Sequence, residues 1–322
     1  MRRRHTLELT VRRRLLPGER VRIRSALDIA ATLTADQALD GLPFMPEMLE
    51  FCGRTFRVQL RAGRTCVVPP RRPLPRLMGA VVLGGLRCTG AFHGGCQLGC
   101  MLLWKEEWLT RNPERASGTT AGADEQDESE DPHGWGMPRF AATRGHDPDL
   151  FFCQGTELPR ATVPGEPLWN PRQYVRFLRD RTFTMPELVG MFARPVVRRL
   201  SRLLRPPARR APLAEPTVIS PLMPGDVVRI RSAGEIRATL DSKGKHRGLG
   251  FGGDMYAQCG RTLAVQARVE KVIDERTGHL RTLSGTVILD GSVCDRYLGC
   301  ARGMPLLWRD EWLERVPPEW RV

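Results

Sequence analysis

The sequence predicts a mostly β fold with an α-helical insert, built from two homologous small antiparallel β-barrel domains. Three observations carry this. Residues 17–61 (PGERVRIRSALDIAATLTADQALDGLPFMPEMLEFCGRTFRVQLR) align without a gap onto residues 224–268 (PGDVVRIRSAGEIRATLDSKGKHRGLGFGGDMYAQCGRTLAVQAR), and the likeness resumes at Val81–Cys88 against Val287–Cys294 and at Leu102–Leu109 against Leu306–Leu313. Such a repeat marks one structural unit used twice. Short stretches alternate apolar and polar residues with the period of a half-buried strand. Pro-Gly and Gly-rich words fall between them, as the turns of a small barrel require.

Each element follows from a local pattern. Val21, Ile23 and Ser25 alternate with Arg22 and Arg24, and Phe56, Val58 and Leu60 repeat that alternation. Val287, Ile288 and Leu289 predict a shorter, more buried strand. The words WKEEWLTR and WRDEWLER predict a short terminal helix or a last strand, with Trp104, Trp108, Trp308 and Trp312 closing the cores. The chain divides into a basic arm (1–14), copy one (15–112), an acidic linker (113–148), a central segment (149–205), a Pro/Arg-rich linker (206–220) and copy two (221–318). The linker word GADEQDESED lacks large apolar residues, which predicts disorder. In the central segment, Tyr174, Val175 and Leu178 have helical spacing after Pro171, a favourable first-turn residue. Met185–Leu204 reads as a basic amphipathic helix, suited to an anionic membrane surface or to packing against the barrels.

The composition sets further bounds. Apolar residues make up 41% of the 322, enough for real cores, and no run is long and apolar enough to span a bilayer. The start, MRRRHTLELTVRRRLLPGERV, has no apolar h-region, so it does not read as a secretory signal, and a cytoplasmic location is expected. The net charge of +14 suggests a polyanionic partner such as nucleic acid. An Arg-, Ala-, Pro- and Gly-rich composition explains the same charge without a partner.

Nine cysteines in a reducing compartment point to metal ligands, reactive thiols or small buried hydrophobes before disulfides. Copy one carries Cys52, Cys88, Cys96 and Cys100, with Cys66 besides. By the repeat, Cys52 matches Cys259, Cys88 matches Cys294, Cys96 matches Cys300, and Cys100 matches Met304. Cysteines kept in both copies, in separate loops, predict convergence on a metal. Four thiolates suit an iron–sulfur cluster, one per copy, or tetrahedral zinc. Gly90, Gly94, Gly95 and Gly99 either let backbone amides approach cluster sulfurs or simply make turns. Three cysteines in copy two predict an open position for His246, His279, Cys153 or a substrate, or else a decayed site. His93, in FHGGC, reads as a ligand, as a hydrogen-bond donor behind a ligand, or as a turn residue facing water. CQGTE places Cys153 and Glu157 as a candidate nucleophile and polar helper, with His146 upstream.

Two resemblances add to this. PGDVVRIRS is similar to the opening of SH3-like barrels of the KOW type. The words GLPFMPEMLEFCGRTFRV, HGGCQLGC, WKEEWL and CQGTELPRAT together resemble a bacterial family of proteins of uncharacterised activity, in which two barrel-like copies flank a central CQxTE segment. That resemblance implies the architecture and no reaction. The functional expectations are therefore three. The first is an iron–sulfur protein in redox chemistry, partnering a redox protein or a biosynthetic enzyme. The second is a zinc-stabilised module for nucleic acid or another polyanion. The third is an enzyme using Cys153 or an open metal site in copy two.

Overall fold

The structure, a computed structural model, describes residues 14–111, 147–191, 193, 221–295 and 297–316. Nearly all of the basic arm, almost all of the acidic linker, His146, all but the start of the predicted basic helix, and the whole Pro/Arg-rich linker lie outside these residues. Among the described residues no helix is long and apolar enough to cross a membrane.

Copy one contributes β1 (Arg20–Ile23), helix α1 (Ala26–Ala30), the short pair β2 (Ala38–Leu39) and β3 (Leu42–Pro43), then β4 (Thr55–Arg61), β5 (Arg76–Leu77), β6 (Ala80–Arg87), β7 (Met101–Lys105) and β8 (Leu109–Arg111). The central segment gives α2 (Gln154–Ala161), β9 (Thr162–Val163) and α3 (Arg172–Arg179). Copy two gives β10 (Val227–Ile230), α4 (Ala233–Ala238), β11 (Lys245–His246), β12 (Leu249–Gly250), β13 (Thr262–Arg268), β14 (Lys271–Ile273), β15 (Leu280–Thr282), β16 (Thr286–Val293), β17 (Pro305–Arg309) and β18 (Leu313–Arg315). The described residues are thus mostly strand with few helices.

Each copy folds its long strands into a curled five-stranded antiparallel sheet, in the order β7-β6-β4-β1-β8 and β17-β16-β13-β10-β18. The alternation in the sequence becomes the inner face: Val21 and Ile23 are fully buried in β1, and Val228 and Ile230 take the same places in β10. Both sheets break register at matching points, between Val58 and Leu60 and between Val265 and Ala267. Such bulges bend a strand and let a small sheet close on itself. The strand β16 is longer than the sequence predicts, at eight residues, with its first four buried.

The tryptophan words resolve into a strand, a single 3-10 turn (Glu106–Trp108, Asp310–Trp312) and a last strand. All four tryptophans are fully buried. Trp108 Nε1 donates to Thr32 Oγ1 at 3.0 Å, and Trp312 Nε1 donates to Thr239 Oγ1 at 3.0 Å. The same bond thus closes both cores. Trp308 Nε1 finds Ser292 Oγ at 2.9 Å, whereas Trp104 Nε1 is buried without a hydrogen bond among the described residues.

The central segment is docked, not loose. Gln154, buried at the start of α2, donates through Nε2 to the Leu103 and Pro43 carbonyls and accepts the Leu103 N–H at Oε1. Its amide therefore satisfies both polar backbone groups of one residue on edge strand β7, as an added strand would. Strand β9 pairs with β5. Helix α3 forms where the spacing predicts it but buries Gln173 and Phe177, while Val175 is exposed. A further helical turn opens at Met185, with Leu188 buried and Met185 and Val189 exposed.

The two copies meet reciprocally. The hairpin β14–β15 of copy two covers the cysteine loop of copy one: Gln97 N donates to the Lys271 carbonyl at 2.9 Å, and Gln97 Oε1 accepts from both Glu270 N and Lys271 N. The equivalent loop of copy one covers the cysteine loop of copy two, where Arg64 and Cys300 form a bridge and Ala301 N donates to the Arg64 carbonyl. Cys100 and Met304, which occupy equivalent places in the repeat, face each other with Sγ and Sδ 3.9 Å apart. Self-complementary contacts of this kind are the mark of a two-fold arrangement.

Candidate metal centre

The loop Cys88–Cys100 folds back tightly on itself. Cys88 N donates to the Cys100 carbonyl at 2.8 Å, tying its ends together. His93 N and Gly95 N both donate to the Gly90 carbonyl. Two glycines are required. Gly90 sits at φ +72°, and a Cβ there would lie 1.9 Å from the Cys96 carbonyl oxygen; Gly94, also at φ +72°, would press a Cβ into the Phe151 ring at 2.8 Å. Gly95 and Gly99 are likewise left-handed. The turn swings His93 inward, and it is 1% exposed.

Three ligand-type groups converge there. Cys88 Sγ lies 3.2 Å from His93 Nε2, and His93 Nδ1 lies 3.7 Å from Glu47 Oε1. One ligand atom from each of Glu47, Cys88 and His93 falls within 4.8 Å of the others. Glu47 comes from the 3-10 helix Pro46–Phe51 and is 3% exposed. Neither of its carboxylate oxygens has a hydrogen-bond partner among the described residues, and neither has His93 Nδ1. Burying a carboxylate without hydrogen bonds is costly, and the imidazole beside it offers little charge, because burial pushes the His93 pKa down despite Glu47.

These groups open onto a cleft of about 600 Å³ that Cys96, Cys100 and Cys153 also line. Burial pushes the Cys100 thiol up to about 12, with Glu275, Cys153 and Cys96 adding to it and Arg302 opposing. Burial also pushes Cys153 up to about 11. Cys88 is raised furthest, by burial first and then by Glu47 and Cys100. The cleft thus holds a buried carboxyl group without a hydrogen bond, beside Cys88, Cys100 and Cys153, thiols that burial keeps from ionising. The guanidinium of its lining, Arg302, is paired to Glu275, so that Glu47 has no positive charge of its own. A bound cation supplies it: metal coordination deprotonates a thiol outright and partners a carboxylate. The donor set fits a metal. The same spacing resembles a thiol–imidazole–carboxylate relay, but its shifts run against one. An active nucleophile needs a lowered thiol pKa, and here the thiol is raised.

The predicted residues are divided by the fold. Cys88, Cys96 and Cys100 share the cleft, and Cys153 joins them from the central segment. Cys52 does not line it; it caps the 3-10 helix with its Sγ 4.0 Å from the Met48 carbonyl, and Cys259 sits 3.6 Å from the Met255 carbonyl in the same way. In both copies this cysteine turns back on its own helix. Glu157 also lies outside the cleft wall, bonded by Thr156 Oγ1 and ion-paired to Arg160 at 3.2 Å.

Copy two gathers a different set. Cys66 N donates to Cys300 Sγ at 3.2 Å, so the partner of Cys300 comes from copy one. The Cys66 thiol, donating to Cys300 Sγ, is the main cause that lowers Cys300 to about 7 against burial, with the Cys66 N–H adding to it. The same thiol–thiol contact raises Cys66. Cys294 N donates to the Met304 carbonyl at 2.8 Å, while the Met304 sulfur faces Cys100. His246 lies elsewhere, with Nδ1 3.0 Å from the Thr239 carbonyl, and the His279 backbone bridges Leu150.

Sequence reasoning missed Glu47, and it left His93 open to a water-facing reading that its burial overturns. The available signal for Glu47 was its place in the repeat, where Asp254 is the counterpart; both copies keep a carboxylate there. Comparison with family models, with curated proteins and with solved structures gives no match to this chain.

Proposed function

We propose that the protein is a cysteine-ligated metalloprotein of two duplicated SH3-like barrels, with its metal centre at the copy-one loop. The SH3-like reading rests on the strand order shared by both sheets and on the single 3-10 turn before each last strand. The observation that carries the metal reading is the buried Glu47 carboxylate, unbonded and facing Cys88 and His93 within 4.8 Å. A mixed oxygen, nitrogen and sulfur set on one point suits a single tetrahedral ion, and zinc is the natural choice. Glu47, Cys88 and His93 hold it, and the fourth position faces the cleft lined by Cys96, Cys100 and Cys153. The centre then joins copy one, the central segment and copy two into one zinc-stabilised binding module.

A second reading is favoured by the four cysteines of the cleft wall. Cys88, Cys96, Cys100 and Cys153 come from two chain segments and offer four thiols to an iron–sulfur cluster, with His93 as a nitrogen ligand of the mixed type. Anaerobic purification with metal and sulfide analysis decides between the two. A colourless protein with one zinc per chain supports the single ion. Iron with sulfide and a visible charge-transfer band supports the cluster. Metal-free protein that melts no earlier than the protein as purified defeats both.

A further inference from the structure

A second cleft shares no residue with the metal cavity and is built from opposite charge. It measures about 340 Å³, and its wall includes Arg64, Arg76, Gln173, Arg176 and Phe177. Arg64 comes from the copy-one loop that crosses to copy two, Arg76 from β5, and the other three from α3. Three chain segments therefore bring three guanidinium groups to one concavity.

Arg64 is held in place rather than displayed to solvent. It is 4% exposed, its Nη2 donates to Gln173 Oε1 at 2.6 Å, and its guanidinium lies 5.1 Å over the Phe177 ring. Gln173, 1% exposed, spends its own Nε2 on the Pro167 and Leu168 carbonyls, so its oxygen must face Arg64. Yet Arg64 Nη1 is buried without a hydrogen-bond partner among the described residues. The local carboxylates do not supply one. Glu166 is shared between Arg176, at 2.7 Å, and Arg76, at 3.2 Å. Asp180, also on the wall, is drawn toward Arg14, Arg61 and Arg179. Burial and the neighbouring Arg176 and Arg76 lower the Arg64 pKa, with Glu166 opposing. A guanidinium nonetheless keeps its charge in proteins. An unmade hydrogen bond on a buried cation is costly, and preorganised guanidinium donors match the oxygens of a phosphate.

We infer that this cleft is a binding site for a phosphate group, with the free Arg64 Nη1 as its fixed donor and Arg76 and Arg176 as partners that turn from Glu166 toward the ligand. The inference stands apart from the metal reading. It also gives part of the basic excess a local use.

Titration of the full chain with inorganic phosphate and, separately, with glycerol phosphate tests it at constant ionic strength, with chloride as the control. Saturable binding and a melting temperature that rises with ligand by mass action are expected. Binding of glycerol phosphate alone identifies an esterified group as the ligand, and binding of phosphate alone identifies the free ion; either supports the site. Arg64→Met should weaken binding at least about tenfold, the loss of one charge-assisted bond. Because Arg64 is buried, the partly exposed Arg176→Gln provides the second variant and should weaken binding by a similar factor. Arg229→Gln, which removes an exposed arginine outside both clefts, should leave phosphate affinity unchanged. No saturable response from either ligand, or an affinity that both arginine variants leave intact, overturns the inference.

Discussion

The cysteine loops of the two copies occupy equivalent places and have opposite electrostatics. In copy one the loop carries a histidine, buries it with a carboxylate, and pushes the Cys88 and Cys100 thiols up. In copy two the loop is two residues shorter between its cysteines and has no histidine; Asp254, where Glu47 would be, is only half-buried and accepts from Asp295 N at 3.0 Å. There Cys300 is lowered to about 7 by a neighbour from the other copy. The two copies share the strand order and the tryptophan closure. The chemistry of the loops diverged because burial and partners, which the strands do not control, differ between them.

The largest effect should separate the two loops directly. Cys88→Ser and His93→Ala should each abolish stoichiometric metal and lower the melting temperature sharply, since a site and its fold form together and structural zinc contributes on the order of 10 kcal/mol. Cys294→Ser should leave the metal content unchanged. Metal analysis of the three variants checks this, and equal loss from Cys294→Ser would break the contrast.

The next test uses pH. In metal-free protein the folded pKa values of Cys100 and Cys153, about 12 and about 11, lie above the unfolded thiol value of 9.0. Stability from these thiols is therefore present below pH 9 and lost as pH rises toward 11–12, because only the unfolded chain ionises them readily. His93 works at the other end. Its folded pKa lies below the unfolded 6.5, so stability falls as pH drops below that value. Where Cys100 and Cys153 are ligands, as in the cluster reading, metal removes the alkaline loss, because coordinated thiolates are already deprotonated. A single ion held by Glu47, Cys88 and His93 leaves that limb in place. Either centre deepens the acid loss, because protons compete for the ligands. Denaturant melts from pH 5 to 11 with and without metal measure both limbs. An alkaline limb that metal leaves unchanged would detach the thiols from the centre.

A smaller effect concerns reactivity. Cys300 should react with thiol-specific alkylating agents in a titration centred near 7, whereas Cys100 and Cys153 stay inert at neutral pH. Cys66→Ala should move the Cys300 midpoint upward by removing the donor. Peptide mapping of alkylated sites across pH reads this, and an unmoved midpoint would show that Cys66 is not the cause.

The smallest test compares the cores. Ser292→Ala should cost about 1 kcal/mol, since Trp308 Nε1 would become as unpartnered as Trp104 Nε1 already is beside Leu86. Chemical denaturation measures it, and no change would mean that the indole N–H finds another acceptor.

Much of the fold was legible in the residues themselves. The alternation at Val21 and Ile23 and at Val228 and Ile230 dictates which strand face is inward. The repeat predicts that the two copies share their long strands. The tryptophan words announce a closing element, though only the backbone geometry chose a 3-10 turn between two strands over a helix. These are local properties, set by period and turn chemistry within a few residues. Cys88, Cys96 and Cys100 were legible for the same reason, since one loop holds them all.

The centre itself was decided by the tertiary structure. Glu47 lies in PEMLEF, where nothing in the local pattern distinguishes a buried carboxylate from a solvated one. Its burial depends on where the Cys88–Cys100 loop, helix α2 and copy two come to rest, contacts that span the whole chain. Cys52 looked equal to the other cysteines, and the 3-10 helix turned it back on Met48 instead. Cys153 entered because Gln154 matches the free edge of β7, and Cys66 left copy one's cleft because its loop crosses to the other barrel. Spacing along a chain determines strands and turns. Which side chains share a low-dielectric cavity is determined by packing between distant segments, and the charge balance of that cavity determines its chemistry.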